Sequence, residues 1–274
     1  MSYKRIALVT LLAVFGYVNP AHAITASLSA GTNINPSTGT ADGGTFTTQP
    51  YTNTTTFNSV TPTTTTSSCG NKCTTTNYTF NATFNDPSAP TLTYSWSNQS
   101  TATGTLTGIK SNDNYAPPNP NGQKINQTQA PSNNKSAYPA VWASSPITIT
   151  STKLLNYVGI NWGYADQYNQ IAFYNTNVSA NPIATFTSTD FFGSPLPNPE
   201  GSTYADFVSS NNNEFFNKIV LTDTGTTGFE TDNYAVRVAP APSQLSGIVA
   251  LALMGGWSLF NHNRKLKQKQ LVIK

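Results

Sequence analysis

An all-β chain, folded as an antiparallel sandwich or jelly roll, is what this sequence predicts, and three observations predict it. Apolar and aromatic residues alternate with Thr and Ser at period two in one run after another, the pattern of strands with one face buried. Gly, Pro, Asn and Asp punctuate those runs at short intervals, and between the two ends of the chain no stretch keeps a helical period. Short strands at such spacing favour an antiparallel layered fold over a parallel sheet with crossover helices.

Taken in order, the chain opens with a leader. Lys4 and Arg5 give a positive start, residues 6–18 an apolar run, and Ala21-His22-Ala23 a small-x-small site, so residues 1–23 read as a signal peptide cleaved after Ala23. Residues 24–75 follow as an arm rich in Thr, Asn and Ser. It buries too little to offset the entropy of ordering a compact unit, although strands near Phe46 and Phe57 are expected to join a sheet. Cys69-Gly70-Asn71-Lys72-Cys73 holds both cysteines of the chain. In an oxidising compartment the pair reads as a small disulfide loop at a hairpin tip.

The main domain is expected over residues 76–239. Tyr78 and Phe80 mark its first strand, and Leu92, Tyr94 and Trp96 the second, before a Pro-Asn-Gln loop over 112–136. The strongest pattern is then four strands, 146–150, 157–163, 170–174 and 183–187, with three more at 204–208, 217–222 and 233–238. Last comes a tail, residues 240–274: Pro240-Ala241-Pro242-Ser243, an apolar membrane helix over 244–260, and a basic end with Arg264, Lys265, Lys267, Lys269 and Lys274. The apolar run 245–260, sixteen residues long, would make a helix about 24 Å long, short of the ~30 Å hydrocarbon core. Gly247, Gly255 and Gly256 weaken it further, which suits transient retention, with a permanent anchor as the alternative. The cluster of bases is expected to stay on the cytoplasmic side.

Composition narrows the function. Charged residues are 9% of the chain, against about 25% in ordinary soluble domains. Between residues 24 and 240 seven Lys and Arg face eleven acids, so the exported part is about −4 and is not built for nucleic acid. The two histidines, His22 and His262, lie in the leader and the tail. Without an imidazole in the main domain, Ser-His-Asp and Cys-His chemistry lack their base, and the two cysteines lack the partners that zinc needs. Glycoside hydrolysis by paired carboxylates survives as a minor reading, with Asp166, Glu200, Glu214, Glu230 and Asp232 as its candidates. No cofactor is expected.

One turn, Trp162-Gly163-Tyr164-Ala165-Asp166-Gln167-Tyr168-Asn169, carries two readings. Its aromatics could stack on sugar rings, or Asp166 with Asp232 could bind calcium through oxygen ligands. The alternative, which the residue types favour, is that Trp162 belongs to the core while Asp166 and Asn169 bond turn backbone.

The Pro-Ala-Pro-Ser motif, apolar helix and basic end resemble the sorting tail of exosortase-dependent surface proteins, the PEP-CTERM class of Gram-negative bacteria and cyanobacteria. Ala241 stands where the usual motif has glutamate, and Asn261-His262-Asn263 separate the helix from its first base. Residues 157–174, with Gly159, Trp162-Gly163, Asp166, Tyr168-Asn169 and Phe173-Tyr174, resemble the β-domain of the same class, as do residues 215–220 and 229–236. The likeness covers roughly residues 91–269. It implies a non-enzymatic protein carried to the cell surface or extracellular matrix, a precursor held in the inner membrane by the tail, and an exosortase-like processing enzyme as partner. An extracellular polysaccharide is the further partner it admits, and a glycan-binding, lectin-like role is the alternative function. The resemblance transfers no site residues.

Overall fold

A computed structural model describes residues 24–240 except 30–31, 35–40, 51, 58–59, 71–72, 83, 85, 100–106, 111–136, 143–144, 164–166, 193–202, 210 and 226–227; residues 32–34, 41–45, 192 and 203 are described by backbone alone. The expected leader, Ala23 included, and the tail beyond Pro240, with Ala241, Pro242, Ser243 and the helix 244–260, lie outside the described residues. Among the described residues no helix is long and apolar enough to cross a membrane.

The described residues form mostly antiparallel β-sheet with almost no helix, consistent with an all-β chain. In order its strands are β1 (Ile24–Ser29), β2 (Thr32–Ile34), β3 (Ala41–Phe46), β4 (Asn53–Thr55), β5 (Thr63–Ser68), β6 (Thr74–Ala82), β7 (Leu92–Gln99) and β8 (Gly108–Lys110). They continue as β9 (Tyr138–Val141), β10 (Ile147–Gly163), β11 (Asn169–Tyr174) and β12 (Ala184–Thr187), then a short helix α1 (Ser188–Phe192), β13 (Thr203–Ser209), β14 (Phe216–Asp223) and β15 (Phe229–Val238). The helix is one capped turn: Asp190 Oδ2 reaches back to accept from the Thr187 N–H at 2.6 Å and from the Thr187 hydroxyl at 2.9 Å.

β10 organises the rest. The sequence predicts two strands here, and the structure makes one of 17 residues. Nothing between residues 150 and 157 breaks a strand, since 151–156 reads Ser-Thr-Lys-Leu-Leu-Asn with no Gly or Pro. The chain bends instead through a register shift between Thr150 and Leu155, as a bulge does. Before the bend β10 pairs with β14 on one side, Ile149 opposite Ile219, and with β7 on the other, Ile149 opposite Tyr94. After it, the partners are β13 and β15, with Val158 opposite Phe207 and Val236. Strands therefore extend from the first half in the order β12-β11-β14-β10-β7-β6-β5, and from the second in the order β1-β13-β10-β15, with β4 and the β9-β8 pair continuing from β15.

Side chains from both sets meet in one core. Phe57 stands edge-on to Phe80, Tyr94 and Tyr234 at centroid distances of 5.8, 5.3 and 5.6 Å. Phe173 packs on Phe207 at 5.0 Å and on Phe216 at 4.9 Å, and Phe186 on Phe207 at 5.4 Å. Such ring pairs contribute about 0.5–1.5 kcal/mol each beyond the area they bury.

The segment 24–75, expected as an arm, is tied into this sheet. β1 pairs with β13 over six residues, β4 pairs with β15, and Phe46 and Phe57 are fully buried. The expected boundary at residue 76 falls inside β6. The edges of β13 and β15 supply the backbone partners of β1 and β4, and β1 also places Ile24 in the core.

Candidate functional site

The turn after β10 is built from its buried end outward. Trp162 is 0% exposed, and its indole N–H donates to Asn169 Oδ1 at 3.1 Å. The Asn169 amide in turn donates to the Gly228 carbonyl at 3.2 Å. The indole packs against Phe229 at 4.8 Å and Phe191 at 5.6 Å. Trp162 is thus a core residue that pins the β10–β11 turn to the start of β15, and Asn169 bonds both a side chain and turn backbone. Tyr168 is the exposed aromatic here, at 39%. Its ring lies over Gly225, where an added Cβ would come within 2.8 Å of Tyr168 Cβ. Tyr164, Ala165 and Asp166 lie outside the described residues.

Asp232, the other calcium candidate, is 0% exposed, and its Oδ1 accepts the backbone N–H of Asn233 at 2.7 Å. Asn233 has φ 48°, in the left-handed region that Asn tolerates, so the carboxylate supports a local backbone irregularity. Among the described residues no group of three or more His, Cys, Asp or Glu could hold a metal ion. Of the carboxylates considered for glycoside hydrolysis, Glu230 is buried beside Asp232 on β15, and Glu214 ends the 3-10 turn Asn212–Glu214 before β14. Asp166 and Glu200 lie outside the described residues.

Two other aspartates have plain structural work. Asp223 accepts the backbone N–H groups of Gly225 at 2.7 Å and Gly228 at 3.0 Å, closing the β14–β15 turn where Gly228 has φ 95°. Burial raises its carboxyl above the ordinary value, and the two N–H donors pull the other way. Asp206 accepts from the Tyr157 hydroxyl at 2.6 Å and from Ser29 Oγ at 2.7 Å. Tyr157 also meets the Thr47 hydroxyl at 2.6 Å, while Tyr204 donates to the Asn233 carbonyl at 3.1 Å. Gly159 makes room for this network, because a Cβ there would lie 2.7 Å from Tyr204 Oη and against the Tyr157 hydroxyl.

Cys69 and Cys73 form the expected disulfide, with Cα atoms 5.1 Å apart. The Cys69 N–H donates to the Cys73 carbonyl and the Cys73 N–H to the Gly70 carbonyl, both at 3.2 Å. Gly70 takes φ 117°, which a glycine adopts without strain. The loop closes the hairpin of β5 and β6.

The open surface of β6 and β7 is the feature that the sequence reading passed over. Thr75, Asn77 and Thr79 alternate with the inward Tyr78 and Phe80, and Ser95, Ser97 and Gln99 alternate with the inward Tyr94, Trp96 and Asn98. The pairing sets Asn77 opposite Ser97, whose hydroxyl donates to Asn77 Oδ1 at 2.6 Å. Thr93 likewise donates to Asn81 Oδ1 at 2.8 Å. Thr75, Asn77, Thr79, Ser95, Ser97 and Gln99, with Ser145, Pro146 and Thr148 at their side, line an open groove of about 490 Å³ that carries no charged side chain. Beneath it Tyr78 and Trp96 stack at 5.1 Å with an interplanar angle of 4°. Hydroxyls and amides on an open surface can exchange hydrogen bonds with another neutral, hydroxyl-rich surface.

No family model, curated protein or solved structure matches the chain. The alternation that reveals the polar face was legible in 74–82 and 92–99, but a reading that follows apolar residues notes only the inward half of each strand.

Proposed function

We propose that the chain is an exported, non-enzymatic surface or extracellular-matrix protein whose strands form an antiparallel sandwich of the jelly-roll kind. The leader 1–23 sends it across the inner membrane, and Pro240-Ala241-Pro242-Ser243, the helix 244–260 and the basic end hold or sort it there. An exosortase-like enzyme of the PEP-CTERM system is its processing partner. The observation that carries this reading is the Cys69–Cys73 disulfide, since such bonds persist in oxidising compartments outside the cytosol. The sandwich is supported by the bend of β10, whose two halves pair with different neighbours, and by rings from both sets meeting in one core. The test is fractionation of cells that express the full chain. The reading expects a mature N-terminus at Ile24 and protection of the cysteines from alkylation until a reductant is added. A reduced chain in the cytoplasm with Met1 intact overturns it.

A second reading, glycan binding, is favoured by the neutral groove on β6 and β7 rather than by Trp162, which is buried. Its ligand would be an uncharged polysaccharide held by Asn77, Ser97 and Gln99. A glycan array answers it: hits that disappear in Asn77→Ala and Ser97→Ala support the reading, and an array without hits leaves the face structural.

A further inference from the structure

The outer strand of a sheet presents backbone N–H and C=O groups with no partner on one side, and proteins blunt such edges with short strands, charges, prolines, bulges or a covering element. Most edges here are treated that way. β12 has four residues and runs directly into α1, β8 has three, and β1 has α1 against it. β5 is different. All six of its residues, Thr63-Thr64-Thr65-Thr66-Ser67-Ser68, are exposed, and among the described residues β6 is its one partner. The ladder runs without a shift from Thr63 opposite Thr79 to Ser68 opposite Thr74, so no bulge turns the edge away. The strand contains no charge and no proline.

Burial does not explain why this strand is held so regularly, because it has no apolar side chain. What holds it is the ladder to β6 together with the Cys69–Cys73 staple at the tip. A rigid, straight edge has already lost the freedom that a docking strand must lose, which favours association. The composition selects the partner. In antiparallel self-pairing, Thr or Ser stands opposite Thr or Ser in every register, with matched β-branched surfaces and no like charges to repel.

We propose that β5 is a self-pairing edge, joining β5 of a second copy of the chain antiparallel across a twofold axis and merging the two sheets. The arrangement is isologous, so it uses up both open edges and stops at a dimer. Six residues give a contact only about 20 Å long, far smaller than a standard interface, so pairing is weak in dilute solution and forms where copies are crowded.

The test uses the full chain in a neutrally buoyant detergent, followed by sedimentation and amide hydrogen exchange over a range of concentrations. The wild type is expected to pass from monomer to dimer as concentration rises, with exchange at Thr63–Ser68 slowing at least ~10-fold over the same range. The double variant Thr65→Lys/Ser67→Lys, on the outward polar face of an exposed strand, keeps its melting temperature and stays monomeric. Mixed with Thr65→Glu/Ser67→Glu it forms dimers again. A chain that stays monomeric throughout, or a dimer that survives in the lysine variant with β5 exchange unchanged, overturns the proposal. In the first outcome the edge is left to an extended segment of another protein.

Discussion

The hydroxyl of Tyr157 donates to Asp206 Oδ1 at 2.6 Å in the buried interior, while Ser29 Oγ holds the other carboxylate oxygen at 2.7 Å. The pair joins β10 to β13 and, through Ser29, draws β1 onto them. Tyr157→Phe leaves the buried Asp206 Oδ1 and Thr47 hydroxyl without this partner, so it is expected to destabilise by about 1–3 kcal/mol. Asp206→Asn keeps an acceptor for the phenol and should cost less. Urea unfolding of both variants checks the order, and equal losses would show that the hydrogen bond is not what matters.

Four buried tyrosines make the fold sensitive to alkali. Burial raises the phenols of Tyr94, Tyr157, Tyr204 and Tyr234 above the ordinary value, and the nearby Asp206 raises Tyr157 further. A folded value above the unfolded one gives stability that is whole below about pH 10 and is lost as pH climbs beyond it, because the unfolded chain releases those protons first. Tyrosinate absorbance and circular dichroism, followed together through an alkaline titration, should show these phenols ionising in step with unfolding. Ionisation of all tyrosines near the ordinary value with the fold intact would contradict the burial.

Gly159 tests the packing of the same network by addition. Its missing Cβ would sit 2.7 Å from Tyr204 Oη, and that ring is fixed by its bond to the Asn233 carbonyl. Gly159→Ala is therefore expected to destabilise by about 1–3 kcal/mol or more, since neither tyrosine can move without giving up a buried hydrogen bond. Thermal melting measures it, and a neutral result would mean that the tyrosines shift freely.

Removing the disulfide should act locally. Closing a loop this short is worth about 2 kcal/mol by chain entropy, and the hairpin it closes is exposed along all of β5. Cys69→Ser/Cys73→Ser is expected to speed amide exchange in β5 and the first half of β6 while leaving exchange in β10 unchanged. Equal acceleration in both places would mean that the staple supports the whole fold.

How much of this was legible beforehand depends on what each residue faces. The alternation at 92–99 appears in the structure as a strand, because one face meets the core and stamps period two on the sequence, while the short apolar runs at 170–174 and 217–222 also appear as strands, with Ile171, Ala172 and Phe173 buried in succession in the first. β10 was split in the reading because 151–156 loses its apolar alternation at the bulge, although its backbone continues. β5 has no apolar side chain, and its strand state depends on the hairpin it makes with β6. β1 does alternate, with Ile24, Ala26 and Leu28 between Thr and Ser, but it borders the leader and its partner β13 is distant in sequence. Trp162 was legible as a core residue, whereas the partners of Asp206 were not, since Ser29 and Tyr157 lie 177 and 49 residues away.

The tail yields the last prediction. If residues 240–269 are a sorting signal, the helix holds the precursor in the inner membrane with Arg264, Lys265, Lys267 and Lys269 in the cytoplasm, because carrying four bases into lipid is costly and leaving them inside is not. Pro240 is the last described residue and is exposed, two residues past the end of β15, so the chain leaves the sheet just before the motif. A cut near Pro242-Ser243 would then release the domain without touching a strand and would remove the basic end from a body of about −4. Mass spectrometry of the surface-exposed protein is expected to find a C-terminus near residue 243. Intact Lys274 on mature, membrane-bound protein would refute processing and leave a simple anchor. Replacing the four bases with Gln weakens retention on either view, so the terminus is the measurement that separates them.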